Sequence, residues 1–90
     1  MLQEKLGRRI AGLRKSRRLT QARLAKILGY SVDFISLVER GVNAPTVAGL
    51  EKFADVFKVT VRDLFTFAKL PKAHLAALLN LKGNRTRKDQ

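Results

Sequence analysis

The sequence predicts an all-α protein, folded as a compact bundle of five short helices. Apolar residues recur three and four positions apart in successive segments, which is the spacing of an amphipathic helix. No segment alternates polar and apolar residues as a half-buried strand would. Threonine, serine, glycine and proline stand between the periodic segments, where helices begin and end. A sixth helix, apolar and near the C-terminus, is predicted in addition to the bundle.

The outer helices of the bundle are predicted from their apolar faces and capping residues. Helix 1 is expected over residues 3–17, with Leu6, Ile10 and Leu13 at helical spacing. Thr46, after Pro45, can cap helix 4 over residues 47–57. The expected buried stripe of helix 4 consists of Val47, Leu50, Phe53, Ala54 and Phe57. Thr60 and Asp63 stand at the spacing of a capping box and begin helix 5, whose residues Val61, Leu64 and Phe65 are expected to close the core.

Residues 20–41 predict two short helices joined by a tight turn. Thr20 and Ser31 can cap the two helix N-termini, and Gly29 can end the first helix in a left-handed conformation. The expected apolar faces are Leu24, Ala25, Ile27 and Leu28 on the first helix and Phe34, Ile35 and Val38 on the second. This is the helix-turn-helix plan, in which the second helix enters the DNA major groove.

The charge of the chain favours a polyanionic partner. Its 90 residues carry a formal net charge of +12, from 19 basic and 7 acidic residues. Residues 1–18 hold seven basic residues and one acidic residue, and residues 65–90 hold six and one, so the excess lies at the two ends. This balance is typical of nucleic-acid binding, although basic ends also serve solubility.

The composition also limits the chemistry that can be expected. There is no cysteine and only one histidine, His74, so we expect no disulfide, no metal site and no cofactor. No apolar run approaches the roughly 20 residues that span a bilayer, and the N-terminus lacks the apolar segment of a signal peptide. The expected location is the cytoplasm, on the nucleoid when bound to DNA. His74 lacks a plausible catalytic partner, and we do not expect an enzyme.

The C-terminal part departs from the pattern of the bundle. We place a helix-turn-helix domain at residues 1–65, an apolar helical element at 66–81 and a basic disordered tail at 82–90. Pro71 suits the first turn of a helix over residues 72–81. This element is interpreted as a dimerisation helix or as a flap that completes the core, the first being favoured. The expected dimer contacts are Phe65, Phe67, Leu70, Leu75, Leu78 and Leu79.

Residues 6–65 resemble the phage repressor and Cro-type, or XRE-like, helix-turn-helix domain. The resemblance rests on LTQARLAKILG at 19–29, SVDFISLVERG at 31–41, Pro45 and VTVRDLF at 59–65. It implies a lambda-repressor-like bundle and a dimeric, sequence-specific DNA binder that regulates transcription. By position, it also implies that Gln21 contacts a DNA phosphate and that Arg14 and Glu39 form an internal salt bridge.

The base-facing residues are expected on the exposed face of helix 3 near its N-terminus: Ser31, Val32, Asp33, Ser36 and Leu37. These residues depart from the family, which often has Arg, Lys, Gln or Asn there to bind base edges. Direct base recognition is therefore expected to be weak, with DNA shape or general electrostatics contributing more. The expected phosphate contacts are Arg17, Arg18, Gln21, Arg23, Arg40 and Asn43, with Tyr30 either joining them or packing at the junction of helices 2 and 3.

Two classes of function fit these observations. The favoured one is a homodimeric transcriptional regulator, a repressor-type protein, on a pseudo-palindromic operator in double-stranded DNA. The alternative is an antitoxin-like or other interaction module that uses the same fold to bind a partner protein such as a toxin. The weak base-facing surface and the apolar segment at 66–81 favour the alternative. An RNA-binding role is less favoured because aromatic residues for base stacking are few.

Overall fold

A computed structural model describes residues 1–67, which form five α-helices. They are α1 (Leu2–Ser16), α2 (Gln21–Leu28), α3 (Val32–Glu39), α4 (Val47–Phe57) and α5 (Val61–Leu64). No strand is present in this part of the chain, and the all-α bundle expected from the sequence is confirmed. None of these helices is long and apolar enough to cross a membrane. The expected C-terminal helix at 72–81 and the basic tail lie outside the described residues.

Hydroxyl side chains begin four of the five helices, as the sequence predicts. The hydroxyls of Thr20, Ser31 and Thr46 accept hydrogen bonds from the backbone N–H three residues later, each at 3.0 Å. Thr60 and Asp63 form a reciprocal capping box at the start of α5. The backbone N–H of Thr60 donates to the Asp63 carboxylate, and this bond, followed by the Thr60 hydroxyl, lowers the pKa of that carboxyl. Local chemistry therefore fixes where these helices begin.

The core is a single apolar cluster to which every helix contributes. Ile10, Leu24, Ile35, Phe53 and Leu64, one from each helix, are fully or almost fully buried. Around them lie the other core residues, which are Leu6, Leu13, Ala25, Leu28, Val38, Ala54 and Phe57. Because the outer faces of α2 and α3 lie outside this cluster, they remain accessible for docking.

Three residues expected in the core are exposed, and they are Val47, Ile27 and Phe65, which directly follows the end of α5. Val47 is 76% exposed because it is the first residue of α4, one turn before the helix reaches the core. Ile27 is 50% exposed. At about 100° per residue it lies roughly 60° from Leu24, on the side away from Ala25, and so at the edge of the buried face. The period of both helices was predicted correctly, but the extent of their buried faces was not.

Gly7 allows α1 and α3 to approach each other closely. A Cβ atom at this position would clash with the carbonyl oxygen of Val38 and would lie 2.6 Å from that of Glu39. Both obstacles are backbone atoms near the end of α3, so they cannot yield by a change of rotamer. Gly12, on the same helix, offers a natural comparison, since a Cβ there would meet nothing within 4 Å among the described residues.

Replacement of the two glycines by alanine should have opposite effects on stability. Gly7→Ala should destabilise the protein by about 1–3 kcal/mol, because the helices must separate to admit the methyl group. Gly12→Ala should be neutral or stabilising by up to about 1 kcal/mol, because alanine is the better helix former. Urea unfolding of both variants measures the difference. Equal effects would contradict the close approach of α1 and α3.

Candidate nucleic-acid interface

α2, the turn and α3 form a helix-turn-helix unit. Gly29 adopts a left-handed conformation with φ of 79°, and its N–H donates to the Ala25 carbonyl, which ends α2. Three residues later α3 begins, with Ser31 as its cap. On the other side of α3, Ile35 and Val38 are buried in the core. The unit therefore presents the opposite face of α3 to a ligand.

The five expected base-facing residues lie at least partly open to solvent. Ser31, Val32 and Asp33 are exposed at the N-terminal end of α3, and Ser36 and Leu37 are half-buried further along it. Val32 presents its methyl groups with 44% of its surface exposed. The Ser31 hydroxyl already accepts the Phe34 N–H, so it keeps mainly its donor capacity for a base. The side chains on this face are short, and they include one acidic and two apolar residues.

A buried ion pair holds α3 against α1. Arg14 Nε donates to one Glu39 carboxylate oxygen at 2.7 Å, and Arg14 Nη2 donates to the other at 3.1 Å. The two side chains are only 11% and 7% exposed. Arg14 Nη1 also donates to the carbonyl oxygen of Leu19 at 2.7 Å, in the segment between α1 and α2. The structure thus brings together the two residues for which the resemblance implies a salt bridge.

Gln21 joins this buried pair from α2. Its Nε2 atom donates to a Glu39 carboxylate oxygen at 2.9 Å, and its side chain is half-buried. An amide nitrogen carries two hydrogens, so one remains for a phosphate oxygen. The expected phosphate contact of Gln21 stays a prediction. The bond to Glu39 shows, in addition, that Gln21 helps to fix the angle between α2 and α3.

Among the expected phosphate contacts, Arg17 has an internal role that the sequence did not indicate. Its Nη2 donates to the carbonyl oxygen of Phe57 at 2.6 Å, and its guanidinium lies 6.0 Å from the centre of the Phe57 ring. Arg17 thereby satisfies a carbonyl at the end of α4. Arg17 is itself exposed, as are the other candidates: Arg18, Arg23, Arg40 and Asn43.

Tyr30 packs at the junction of α2 and α3, which is one of the two roles expected for it. Its ring lies 4.8 Å from that of Phe34 and 6.0 Å from that of Phe53, measured between ring centres. The ammonium group of Lys52 lies 4.7 Å from the centre of the Tyr30 ring. These contacts tie the turn to α4 and so keep α3 at a constant angle to the bundle.

A further contact, which sequence patterns did not reveal, positions the loop after α3. The side-chain amide of Gln3 donates to the carbonyl oxygens of Gly41 and Val42, both at 2.9 Å. Gly41 has φ of 79°, and a Cβ there would lie 2.7 Å from the Cα of Glu4. Asn43, an expected phosphate contact, follows directly, so α1 determines where this loop stands beside α3.

Of the expected dimer contacts, only Phe65 and Phe67 lie within the described residues. Phe65 is exposed and Phe67 is half-buried, and their rings meet edge to face with centres 6.1 Å apart. Leu70, Leu75, Leu78 and Leu79 lie beyond the described part of the chain. Dimerisation through this element stays a prediction.

Comparison with known proteins agrees with this geometry. Residues 5–65 match the family described as helix-turn-helix domain. YazB of Bacillus subtilis (strain 168), an uncharacterised HTH-type transcriptional regulator, is 40% identical over 58 residues, covering 64% of this chain and 84% of YazB. The restriction-modification controller protein C.AhdI from Aeromonas hydrophila superposes with a TM-score of 0.65 at 30% identity, over 68% of this chain and 92% of that one.

A larger relative shares the same fold. The HTH_3 family transcriptional regulator from Vibrio cholerae superposes with a TM-score of 0.66 at 31% identity, over 72% of this chain but only 36% of that one. The chain belongs to the Cro/XRE-like family of helix-turn-helix transcriptional regulators, which are DNA-binding proteins and not enzymes.

Glu39→Gln should strongly destabilise the protein, because it leaves the buried Arg14 guanidinium without a counter-charge while keeping the shape of the side chain. We expect a loss of roughly 3–5 kcal/mol, as for other broken buried pairs. Gln21→Ala is the control, since it removes one neutral donor from Glu39 and should cost only about 1 kcal/mol. Urea unfolding measures both, and similar losses would show that the ion pair is not the dominant interaction.

Arg17→Ala and Arg18→Ala separate an internal role from a surface role. Arg17→Ala should cost about 1 kcal/mol of stability, because the Phe57 carbonyl loses its charged donor at a site that is partly open to water. Arg18→Ala, at an exposed neighbour, should change stability by less than about 0.5 kcal/mol. Thermal unfolding tests this difference. If the two variants melted alike, the bond from Arg17 to α4 would be of no consequence.

Proposed function

We propose that the protein is a sequence-specific regulator that binds double-stranded DNA as a homodimer and represses transcription at a pseudo-palindromic operator. The observation that carries this proposal is the buried network of Arg14, Gln21 and Glu39, which orients α3 while its opposite face stays exposed. A helix held in this way can enter a major groove with a smaller loss of backbone conformational entropy than a mobile segment. The cytoplasm, and the nucleoid within it, is the corresponding location.

The operator half-site should reflect the unusual residues at the start of α3. Val32 can contact the methyl group of thymine, and Asp33 can accept a hydrogen bond from cytosine N4. Arginine or glutamine would reach guanine or adenine instead, and this face offers neither. We therefore infer a half-site in which a thymine and a cytosine lie beneath the N-terminus of α3.

Affinity is expected to come from the positive charge rather than from these two contacts. Arg23, Arg40 and Arg18 are exposed, and the chain as a whole has a net charge of +12. Each phosphate neutralised contributes about −0.9 to the slope of log K against log salt. Two copies joined through residues 66–81 would place two α3 helices roughly 34 Å apart, in successive major grooves.

Selection of bound duplexes from a random pool, followed by binding measurements across a salt series, tests the proposal. A recovered pseudo-palindrome is expected, together with a steep salt dependence. Arg40→Ala removes one phosphate contact from each protomer and should reduce the slope by about 2, whereas Arg62→Ala, on α5, should leave it unchanged. A steep slope without any consensus would refute sequence-specific recognition, and a consensus with a single half-site would refute the homodimer.

Substitution of Asp33 tests the proposed base contact. Asp33→Asn should reduce discrimination against replacements of the selected cytosine, at a cost of about 1–3 kcal/mol of specificity. Asp55→Asn is the matched control, because it removes the same charge from an exposed site on α4. If both variants changed affinity equally for all sequences, Asp33 would act only through its charge.

A further inference from the structure

A basic groove runs along the outer face of α1. Its volume is about 700 Å³, and its walls carry four cationic side chains, those of Lys5, Arg8, Arg9 and Arg17. Gly12 and Phe67 also line it. Arg9 Nε donates to the carbonyl oxygen of Asp63, and Arg17 donates to that of Phe57, so two of the four cations are held in place by the bundle. Lys5 and Arg8 are exposed at the rim.

Gly12 keeps this groove open, although glycine lowers the stability of α1 and no close contact among the described residues requires it. A glycine inside a helix is less favourable than alanine by up to about 1 kcal/mol. Gly7 is needed because α3 approaches it, but a Cβ at Gly12 would meet no atom within 4 Å among the described residues. The missing side chain leaves a smooth floor beside Leu13 and Phe67, where an apolar side chain of another molecule would fit.

The groove lies on the side of α1 that faces away from α3. Gly7 marks the face packed against α3, and Gly12 follows five residues later. Five residues of α-helix correspond to a rotation of about 140°. A duplex that docks on α3 would therefore leave the groove accessible.

We propose that this groove binds an acidic amphipathic helix from a partner protein. Carboxylates of the partner would pair with Lys5 and Arg8, and one of its apolar side chains would sit over Gly12 against Phe67. Within this chain, neither the C-terminal segment nor a second copy offers the excess of carboxylates that these cations attract. Residues 68–90 hold six basic residues and one acidic residue, and a second copy carries the same net charge of +12. DNA would satisfy the cations but would leave the apolar floor without a partner.

Binding of a designed peptide to the full chain tests this proposal. The probe is a labelled acidic helix of about four turns, with leucines along one face and glutamates elsewhere. A scrambled peptide of equal composition is its control. Gly12→Leu, which fills the groove, and Arg8→Glu, which reverses a rim charge, should each weaken peptide binding by about tenfold or more. Ala22→Leu and Lys26→Glu, matched changes on α2, should have little effect.

Four results would overturn the proposal. Equal binding of the scrambled peptide would reduce the interaction to charge alone. Destabilisation by Gly12→Leu in urea unfolding would show that the chain itself already occupies the groove. A change in the sedimentation of this variant would show that a second copy occupies it. Competition between an operator duplex and the peptide would place the groove within the DNA-binding surface. Peptide binding, unfolding and sedimentation are measured without DNA, so failure of the proposed regulator function would leave these three results unaffected.

Discussion

The buried pair of Arg14 and Glu39 is the interaction on which the rest of the structure depends. Three elements meet at it: α1 supplies the guanidinium, α3 supplies the carboxylate, and Gln21 of α2 donates to the same carboxylate. A buried charge is tolerated only when its partners are well placed, and here both carboxylate oxygens are satisfied while Arg14 also binds the Leu19 carbonyl. The requirement to satisfy this pair fixes the angle of α3 relative to α1 and α2. The stability of the bundle and the orientation of the docking helix therefore depend on the same ion pair.

Most of the fold could be predicted because its signals are local. Thr20, Ser31, Thr46 and Thr60 each act on a backbone N–H three residues away, so the sequence alone indicates where a helix begins. The contacts that escaped prediction join distant residues through a side chain and a carbonyl group. Arg17 reaches Phe57, and Gln3 reaches Gly41, across 40 and 38 positions. Such bonds depend on how helices cross, and an arginine that holds a carbonyl has the same local sequence pattern as one that faces solvent.

The position of the candidate site could be predicted from the sequence, but the side-chain contacts within it could not. Periodicity located α3 and its outward face, because a helix buries one side and exposes the other. It could not show that Gln21 is bound to Glu39, and it gave no reason to pair Arg14 with Glu39, which came from the resemblance alone. Ile27 and Val47 show the same limit in the core, because spacing gives the period of a helix but not the position at which the neighbouring helices end. Tyr30 was ambiguous until Phe34, Phe53 and Lys52 were placed around it.

In the proposed complex, the positive charge of the chain supplies affinity, which the few base contacts of α3 do not need to provide. A chain of net charge +12 gains affinity for any duplex, so additional attractive contacts would tighten correct and incorrect sites together. Asp33 does the opposite. Its carboxylate is repelled by phosphates and by the acceptor atoms of guanine, and only a donor such as cytosine N4 relieves that penalty. Discrimination then arises from the cost of a wrong base rather than from the gain of a right one. In the proposed complex, the surplus of positive charge would supply the affinity, and Asp33 would supply the discrimination.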